Sequence, residues 1–398
     1  MAKYRFGDIC KVLNGRAYKQ NELLASGKYP ILRVGNFFSS DRWYYSDMEL
    51  PEDKYCDYED LLFAWSASFG PKIWDGEKVI YHYHIWKLIP NDDIADKWYL
   101  YYWLRHSVNR LTAGTHGSVM AHMTKGDMEN QSIELPSLQT QRKISSILRT
   151  IDEKIHNNVA INNNLLEQIK TICTAWLSEY KPFDGVMPSD WVETPLSDIA
   201  EFISGYSYKG TELTDSTIAM ATIKNFDRKG GFKLDGYKEI IPSSKLKESQ
   251  HAELFDTLVA HTDLTQNAEV IGNAEPVMSK SGYDDIIFSM DLVKVLPKKE
   301  NVSKFLLAAI LQDKKFKAHC LGYVNGTTVL HLSKKALPEY KLFLPSDLSK
   351  LRPLDEIVTT LYKQISSNIS ENTYLEELRV ALLPKLMSGE LDVSGIDL

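Results

Sequence analysis

Two stretches of the chain repeat apolar residues at alternating steps of four and three positions, the spacing of helices that pack on one another. In the first stretch these positions are Ile144, Leu148, Ile151, Ile155, Asn158, Asn162, Leu165, Ile169, Ile172 and Trp176. In the second stretch they are Leu354, Val358, Leu361, Ile365, Asn368, Asn372, Leu375, Arg379, Leu382 and Leu386. The pattern predicts two long helices whose apolar seams face each other.

Asparagine interrupts both seams at matching places, Asn158 and Asn162 in the first and Asn368 and Asn372 in the second. A buried amide without a partner costs on the order of 1 to 3 kcal/mol, whereas facing amides can exchange hydrogen bonds. We therefore predict that the asparagines meet and fix the register of the helices. The alternative is that the helices splay there and leave the amides in solvent.

The connection after the first helix favours antiparallel packing. Only a short segment with turn signals, "SEYKPFDGVMPSDW", follows Leu177. The first seam is about 48 Å long at roughly 1.5 Å per residue. A domain with a radius of gyration of about 15 Å is poorly suited to return the chain to the start of that helix. We expect a rod with a globular domain near each end and an approximate twofold axis through the asparagines.

The remainder of the chain contains an internal duplication. "GSVMAHMTKGDMENQSIELP" from Gly117 aligns without gaps on "GTTVLHLSKKALPEYKLFLP" from Gly326, and "FGDICKVLNGRAYK" from Phe6 resembles "LSDIAEFISGYSYK" from Leu196. Each copy contains short strands rich in aromatic and β-branched residues and one amphipathic helix. We predict an α+β protein with two similar mixed α/β domains joined by an antiparallel coiled coil. The predicted boundaries are domains at 1–136 and 181–345 and helical spacers at 137–180 and 346–398.

Composition narrows the possible functions. The four cysteines are far apart and form no CxxC pair, so neither a zinc site nor a disulfide framework is indicated. No apolar run approaches the roughly 20 residues that cross a bilayer, and we expect a cytoplasmic protein without a membrane partner. The net charge of −7 is unusual for a protein that binds nucleic acid. Basic residues must then be concentrated locally, or a partner must supply them.

Several segments resemble the specificity subunits of type I restriction-modification enzymes. They are "LPSLQTQRKISSILRTIDEKI" followed by "NNNLLEQI", "EDLLFAW", and the ending "LRVALLPKLMSGEL". The resemblance covers essentially the whole chain, and the ordered duplication is its most specific feature. In one departure, "SDLSKLRPLDEIV" replaces the family's Leu-x-x-Gln-x-x-Ile opening of the second helix.

The resemblance implies a subunit that reads a bipartite sequence in double-stranded DNA, with one half-site for each domain. It also implies partners, namely two methyltransferase subunits and the restriction subunits, and a helix pair whose length sets the spacing of the half-sites. S-adenosylmethionine, ATP and Mg²⁺ are expected on those partners only, so no cofactor, metal or catalytic residue is predicted in this chain.

The missing motifs agree with a non-catalytic role. The chain has no Pro-Pro and hence no Asn/Asp-Pro-Pro-aromatic motif of an adenine methyltransferase, and it has no GxxxxGK[ST] phosphate loop. His82 and His84 lie on one face of a predicted strand, but without a third ligand nearby a metal site is the less favoured interpretation. Two other functions stay open: a coiled-coil scaffold with duplicated protein-binding heads, and a fused enzyme that methylates or cuts DNA unaided.

The candidate DNA contacts are polar residues in the repeated loops, because such side chains read base edges and bind phosphates. In the first domain they are Tyr18, Lys19, Arg33, Asn36, Ser66, Ser68, Lys72, Thr115, His116, Ser118 and His122. In the second domain they are Tyr208, Lys209, Lys224, Asn225, His261, Thr262, Gln266, Asn267, Asn325, Thr327, Thr328 and His331. Residues shared by the copies favour phosphate contacts or scaffolding. Differences such as Trp65/His261 and Arg33/Thr222 favour discrimination between half-sites.

Three further features have two interpretations each. The lysines Lys314, Lys315 and Lys317 are a candidate phosphate patch. The aromatic run "WYLYYW" over 98–103 is typical of core packing, with base stacking as the alternative. Apolar residues outside the seams favour packing on the adjacent domain, with methyltransferase docking as the alternative; they are Ile147, Val159, Leu166, Ile357, Ile369 and Leu383.

Overall fold

A computed structural model describes residues 1–38, 42–66, 68–112, 123–228, 230–265 and 267–396. The chain divides into two compact units. The first unit comprises Met1–Lys154 and Leu375–Leu398, and the second comprises Ile155–Tyr374. Each unit thus combines one globular region with the helical segments packed on it. The predicted boundaries treated the helices as separate spacers, and those boundaries stay a prediction.

The first unit places two small sheets beside a helical layer. Its strands are β1 (Ala2–Arg5), β2 (Cys10–Asn14), β3 (Tyr29–Leu32), β4 (Tyr44–Ser46), β5 (Tyr55–Cys56), β6 (Leu61–Ser66), β7 (Ser68–Ile73), β8 (Val79–Tyr81), β9 (Ile85–Pro90) and β10 (Ser132–Leu135). Its helices are α1 (Phe6–Ile9), α2 (Val34–Phe38), α3 (Lys97–Thr112), α4 (Lys125–Glu129) and the first part of α5 (Leu138–Leu177). The sheet orders are β2-β9-β6-β7 and β4-β3-β8-β5, while β1 pairs with β10.

The second unit repeats this plan. Its strands are β11 (Trp191–Pro195), β12 (Ala200–Ser204), β13 (Ile218–Ala221), β14 (Lys238–Glu239), β15 (Thr257–Ala260), β16 (Thr262–Asp263), β17 (Ala274–Pro276), β18 (Asp285–Phe288), β19 (Leu292–Pro297), β20 (Val324–Asn325), β21 (Leu330–Leu332) and β22 (Lys341–Pro345). Its helices are α6 (Leu196–Ile199), α7 (Lys304–Leu311), α8 (Lys314–Leu321), α9 (Ala336–Glu339) and the first part of α10 (Arg352–Ser388). The sheet orders are β12-β19-β15-β17, β14-β13-β18 and β16-β21-β20, with β11 paired to β22.

The central four-stranded sheets of the two units match each other. The sheet β2-β9-β6-β7 corresponds to β12-β19-β15-β17, and both are antiparallel throughout. Each unit also has one parallel pair, β3 with β8 and β13 with β18. The predicted duplication of a mixed α/β fold is therefore confirmed.

The long helices α5 and α10 pack antiparallel within each unit. In the second unit, Asn158 Nδ2 donates to Asn372 Oδ1 at 2.8 Å, and Asn368 Nδ2 donates to Asn162 Oδ1 at 2.7 Å. In the first unit, Arg379 of α10 pairs with Asp152 of α5. Since higher numbers on α5 face lower numbers on α10, the predicted antiparallel arrangement is confirmed. A role of the asparagines in setting register stays a prediction.

Replacing Asn158 with leucine is expected to lower the free energy of unfolding by about 1 to 3 kcal/mol. The change leaves the side-chain carbonyl of the half-buried Asn372 without this donor. Urea denaturation measures the loss, and Asn157→Leu is the matched control because Asn157 is exposed on the same helix. Combining Asn158→Leu with Asn372→Leu should recover most of the stability. Equal costs for Asn158→Leu and the control would contradict the expectation.

The apolar residues outside the seams divide into two groups. Ile147 and Leu383 pack on the core of the first unit, and Leu166 and Ile369 pack on the core of the second. These contacts agree with the interpretation that the globular regions cover them. Val159 and Ile357 differ, because 48% and 42% of their surfaces are exposed.

Helix α3 uses its aromatic residues for the core. Tyr99, Tyr102 and Trp103 are buried in the same cluster as Phe6 and Trp86. This placement agrees with the core-packing interpretation of the aromatic run. Within the described part of the chain, no helix is long and apolar enough to cross a membrane.

A charged pair recurs beneath the central sheet of each unit. In the second unit, Lys294 Nζ lies 3.5 Å from Asp256 Oδ2, and both side chains are almost fully buried. Lys304 also pairs with Asp256, and Lys294 donates to the His251 carbonyl at 2.6 Å. In the first unit, Lys87 and Asp60 take the corresponding places at 2.6 Å. The ion pair links the residue before β15 to strand β19 in the second unit, and the residue before β6 to strand β9 in the first unit.

Candidate nucleic-acid interface

Five of the predicted contact residues lie outside the described residues. They are Thr115, His116, Ser118, His122 and Gln266. The remaining candidates fall into those that meet on a common surface and those whose side chains brace a loop.

In the first unit, candidates from three separate segments meet around the turn between β8 and β9. The Tyr18 ring stacks on His82 with the ring centroids 6.3 Å apart. Arg33 follows Leu32, whose carbonyl accepts a hydrogen bond from the His82 amide at 2.9 Å. Ser66 is almost fully buried and follows Trp65, whose amide donates to the His84 carbonyl at 3.1 Å.

The electrostatics of this surface combine cations with a neutral imidazole. Burial, followed by the neighbouring His84 and Arg33, lowers the pKa of His82 to about 4. The His82 ring is therefore uncharged at neutral pH. Arg16 lies over the Tyr18 ring at 5.1 Å and pairs with Glu22 at 2.8 Å. The surface thus offers aromatic faces and hydrogen-bonding edges beside partly neutralised positive charge.

Other candidates of the first unit lie in hairpins and loop termini. Lys72 pairs with Asp75 at 3.4 Å and lies over the Trp74 ring. The Lys19 backbone amide donates to the Glu22 carboxylate at 2.8 Å, while the Lys19 side chain is exposed. Ser68 is exposed across the β6–β7 hairpin from Ser66.

In the second unit, four candidates converge on the sheet β16-β21-β20. His331 pairs with Thr262 on one side and with Asn325 on the other. Thr262 Oγ1 lies 3.3 Å from His331 Nδ1. His261 precedes Thr262, and burial together with the charges of His331 and Lys334 lowers the pKa of His261. Thr327 and Thr328 are exposed in the adjoining turn, so the surface continues through it.

Two matching asparagines hold their loops together. Asn225 is fully buried, its Oδ1 accepting from the Thr222 amide at 2.8 Å and its Nδ2 donating to the Lys233 carbonyl at 2.7 Å. Asn36 repeats the pattern with the Arg33 amide at 3.3 Å and the Arg42 carbonyl at 2.8 Å. In this conformation both amides brace a loop.

The other candidates of the second unit vary in exposure. Lys209, Lys224 and Asn267 are exposed, and Tyr208 packs partly against the cluster around Met220. In the lysine patch, Lys317 Nζ donates to the Glu269 carbonyl and to Asn273 Oδ1, both at 2.6 Å. The Lys317 ammonium is therefore hydrogen-bonded to other residues of the second unit.

The two neighbouring histidines do not complete a metal-binding group. His82 and His84 have ring centroids 4.7 Å apart. Among the residues that the structure describes, no cluster of three or more His, Cys, Asp or Glu side chains is arranged to hold a metal ion.

Comparison with known proteins agrees with this arrangement. Residues 1–170 match the family model described as the type I restriction modification DNA specificity domain. The MjaVIII specificity subunit of Methanocaldococcus jannaschii, a type I restriction enzyme component, is 24% identical over 85% of this chain and 80% of its own length. The first 170 residues thus match a type I specificity domain, and most of the chain is similar to a type I specificity subunit.

Further relatives and a solved structure extend the comparison. The HindI specificity subunit of Haemophilus influenzae is 23% identical over 71% of this chain and 74% of its own length. The EcoBI specificity subunit of Escherichia coli is 21% identical over 48% and 44%. The crystal structure of a type I S subunit from M. genitalium aligns with a TM-score of 0.57 at 16% identity, covering 97% of this chain and 95% of that one. It shows that the whole chain shares the specificity-subunit fold.

Proposed function

We propose that the chain is the DNA-recognition subunit of a type I restriction-modification enzyme and that each unit reads one half of a bipartite target. The supporting observation is the duplication of one scaffold with different side chains on its exposed loops. The candidates around His82 lie in the first unit, and those around His331 lie on the sheet β16-β21-β20 of the second unit. The match of residues 1–170 to a type I DNA specificity domain, and the similarity of most of the chain to type I specificity subunits, support recognition of DNA by this chain.

In this proposal the chain is non-catalytic and acts in the cytoplasm with protein partners. Two methyltransferase subunits and the restriction subunits bind S-adenosylmethionine, ATP and Mg²⁺, and this chain binds none of these. The sequence lacks the methyltransferase and phosphate-loop motifs. Exposed Val159 on α5 and Ile357 on α10 offer apolar surface for a methyltransferase subunit. Partners that surround the DNA also supply the positive charge that this chain lacks.

Mapping N6-methyladenine in cells with and without the gene for this chain tests the proposal. We expect a split motif, two specified halves around an unspecified gap, that loses its methylation when the chain is absent. A scaffold with protein-binding heads predicts the same motif in both strains. A fused enzyme predicts methylation or cleavage of DNA by the purified chain alone, so that assay is the necessary companion measurement.

A further inference from the structure

Two turns at matching positions share a backbone but no side chain. The first turn is His82-Tyr83-His84, between β8 and β9, and the second turn is Ser289-Met290-Asp291, between β18 and β19. They were not among the predicted DNA contacts. In the first unit, however, the turn lies where the segments that carry Tyr18, Arg33 and Ser66 meet.

The backbone of the first turn is fixed by strands from distant parts of the chain. The Tyr83 amide donates to the Arg16 carbonyl at 3.0 Å, and the His82 amide donates to the Leu32 carbonyl at 2.9 Å. The His84 carbonyl accepts from the Trp65 amide at 3.1 Å. Each residue of the turn is therefore anchored through its main chain.

The second turn has the same three bonds. The Met290 amide donates to the Tyr206 carbonyl and the Ser289 amide to the Ala221 carbonyl, both at 2.9 Å. The Asp291 carbonyl accepts from the His261 amide at 2.8 Å. The backbone of this turn is thus held by strands that correspond to those around the first turn.

A glycine packs against each turn. A Cβ atom at Gly15 would lie 2.4 Å from the His82 carbonyl oxygen, and one at Gly205 would lie 2.0 Å from the Ser289 carbonyl oxygen. Any larger residue would push the turn away from its neighbouring segment. The close approach requires glycine at both positions, so the shared backbone is held tightly in both units.

The side chains on this shared backbone have different chemistry. In the first turn, Tyr83 is 38% exposed, and Trp65 packs edge-on against the His84 ring at 5.2 Å. Trp65 Nε1 also donates to the Tyr83 carbonyl at 2.8 Å. In the second turn, Met290 is 58% exposed and Asp291 adds a carboxylate. Binding residues are often found on loops that a rigid scaffold positions, and differences in their side chains change what the loop binds.

The chemistry of these tips favours base edges over phosphates. Phosphates are bound by cations, whereas Asp291 is acidic and the His82 imidazole is neutral at neutral pH. A carboxylate accepts a hydrogen bond from the cytosine amino group, and apolar atoms contact the thymine methyl group. The aromatic ring and imidazoles of the first turn supply stacking faces and hydrogen-bonding edges, which differ from the carboxylate and apolar atoms of the second turn.

We propose that each turn contacts base edges and helps to determine the half-site read by its own unit. The inference rests on the proposed DNA-recognition function and names residues that carry it out. It makes Tyr83 and His84 specificity determinants of the first unit, and Met290 and Asp291 those of the second.

Methylation mapping of single-turn variants, expressed with the methyltransferase partner, tests this inference. Tyr83→Ala should relax at least one specified base in one half of the motif, with methylation at altered sites rising at least tenfold. Met290→Ala should do the same in the other half only. Tyr58→Ala and Ile241→Ala are the controls, since they remove exposed apolar side chains elsewhere in the first and second unit. Both controls should leave the motif unchanged.

The second test transplants the first turn into the second unit by combining Ser289→His, Met290→Tyr and Asp291→His. Its expected result is a new base preference confined to the half that Met290→Ala relaxes. Thermal unfolding and total methylation identify variants that fail to fold, and for these Tyr83→Phe and Met290→Leu replace the alanine variants, with a smaller change expected in the same half.

Folded variants that keep the original motif in both halves would overturn the inference, as would changes spread over both halves. If the unaltered chain directs no split motif at all, the proposed function itself fails, and that result is read from the wild-type strain alone.

Discussion

Replacing Asp256 with alanine is expected to lower the free energy of unfolding of the second unit by about 3 to 5 kcal/mol. Asp256 is the shared partner of Lys294 and Lys304. Its removal leaves the Lys294 ammonium, with a side chain 7% exposed, without a counter-charge. A buried charge without a partner is among the most destabilising defects in a folded protein. Urea denaturation of the whole chain measures the loss.

The first unit provides the matched control. Asp60→Ala removes the corresponding carboxylate, but Lys87 and Asp60 have side chains 17% and 23% exposed. Water therefore reaches this pair, and the cost should be nearer 1 kcal/mol. Adding Lys294→Met to Asp256→Ala should restore much of the stability, because the isolated charge is then gone. An Asp256→Ala cost no larger than that of Asp60→Ala would refute the burial argument.

The sequence predicted the helices well because the spacing of apolar positions that defines them involves only residues close together in the chain. Steps of four and three residues define a seam regardless of what packs on it. The facing asparagines were predicted from the same spacing, because Asn158 and Asn372 interrupt the two seams at matching places. The repeat of segments then implied that both halves share one fold.

The loops were harder to interpret because burial there depends on residues distant in the chain. Asparagine is a residue type that often contacts base edges. The side-chain amide of Asn225 instead bonds to the Thr222 amide and the Lys233 carbonyl. Its match in Asn36 was a usable signal, because a residue kept in two domains with different targets favours a structural role. The first and second turns were not among the predicted contacts for the same reason. Their anchoring comes from strands far away in the sequence.

The aspartate and lysine network shows the same limit. Nothing in the local pattern around Asp256 indicates that Lys294 lies against it, because the pairing depends on the register between β15 and β19. Alignment of the two halves would have exposed it, since Asp60 and Lys87 recur at the corresponding places. Comparing the copies position by position is therefore more informative than interpreting either copy alone.

Inserting one heptad into both long helices is expected to abolish methylation at the native motif and create methylation at a motif with a longer gap. The insertions belong between Lys154 and Ile155 on α5 and between Tyr374 and Leu375 on α10, where the two units divide. Seven residues preserve the phase of the seam. They add about 10 Å of helix at roughly 1.5 Å per residue, which is about three base pairs at 3.4 Å each.

Both half-motifs should be retained, because the insertions leave the proposed reading surfaces around His82 and His331 untouched. Methylation mapping measures the gap and the half-motifs together. A heptad in α5 alone is the control. With α5 lengthened and α10 unchanged, the Asn158–Asn372 pair and the Asp152–Arg379 pair cannot both keep their register, so this variant should lose stability and methylate neither motif. If the paired insertion keeps the original gap, the helices do not set the spacing between half-sites. If it changes the half-motifs themselves, specificity resides in the helices as well as in the loops.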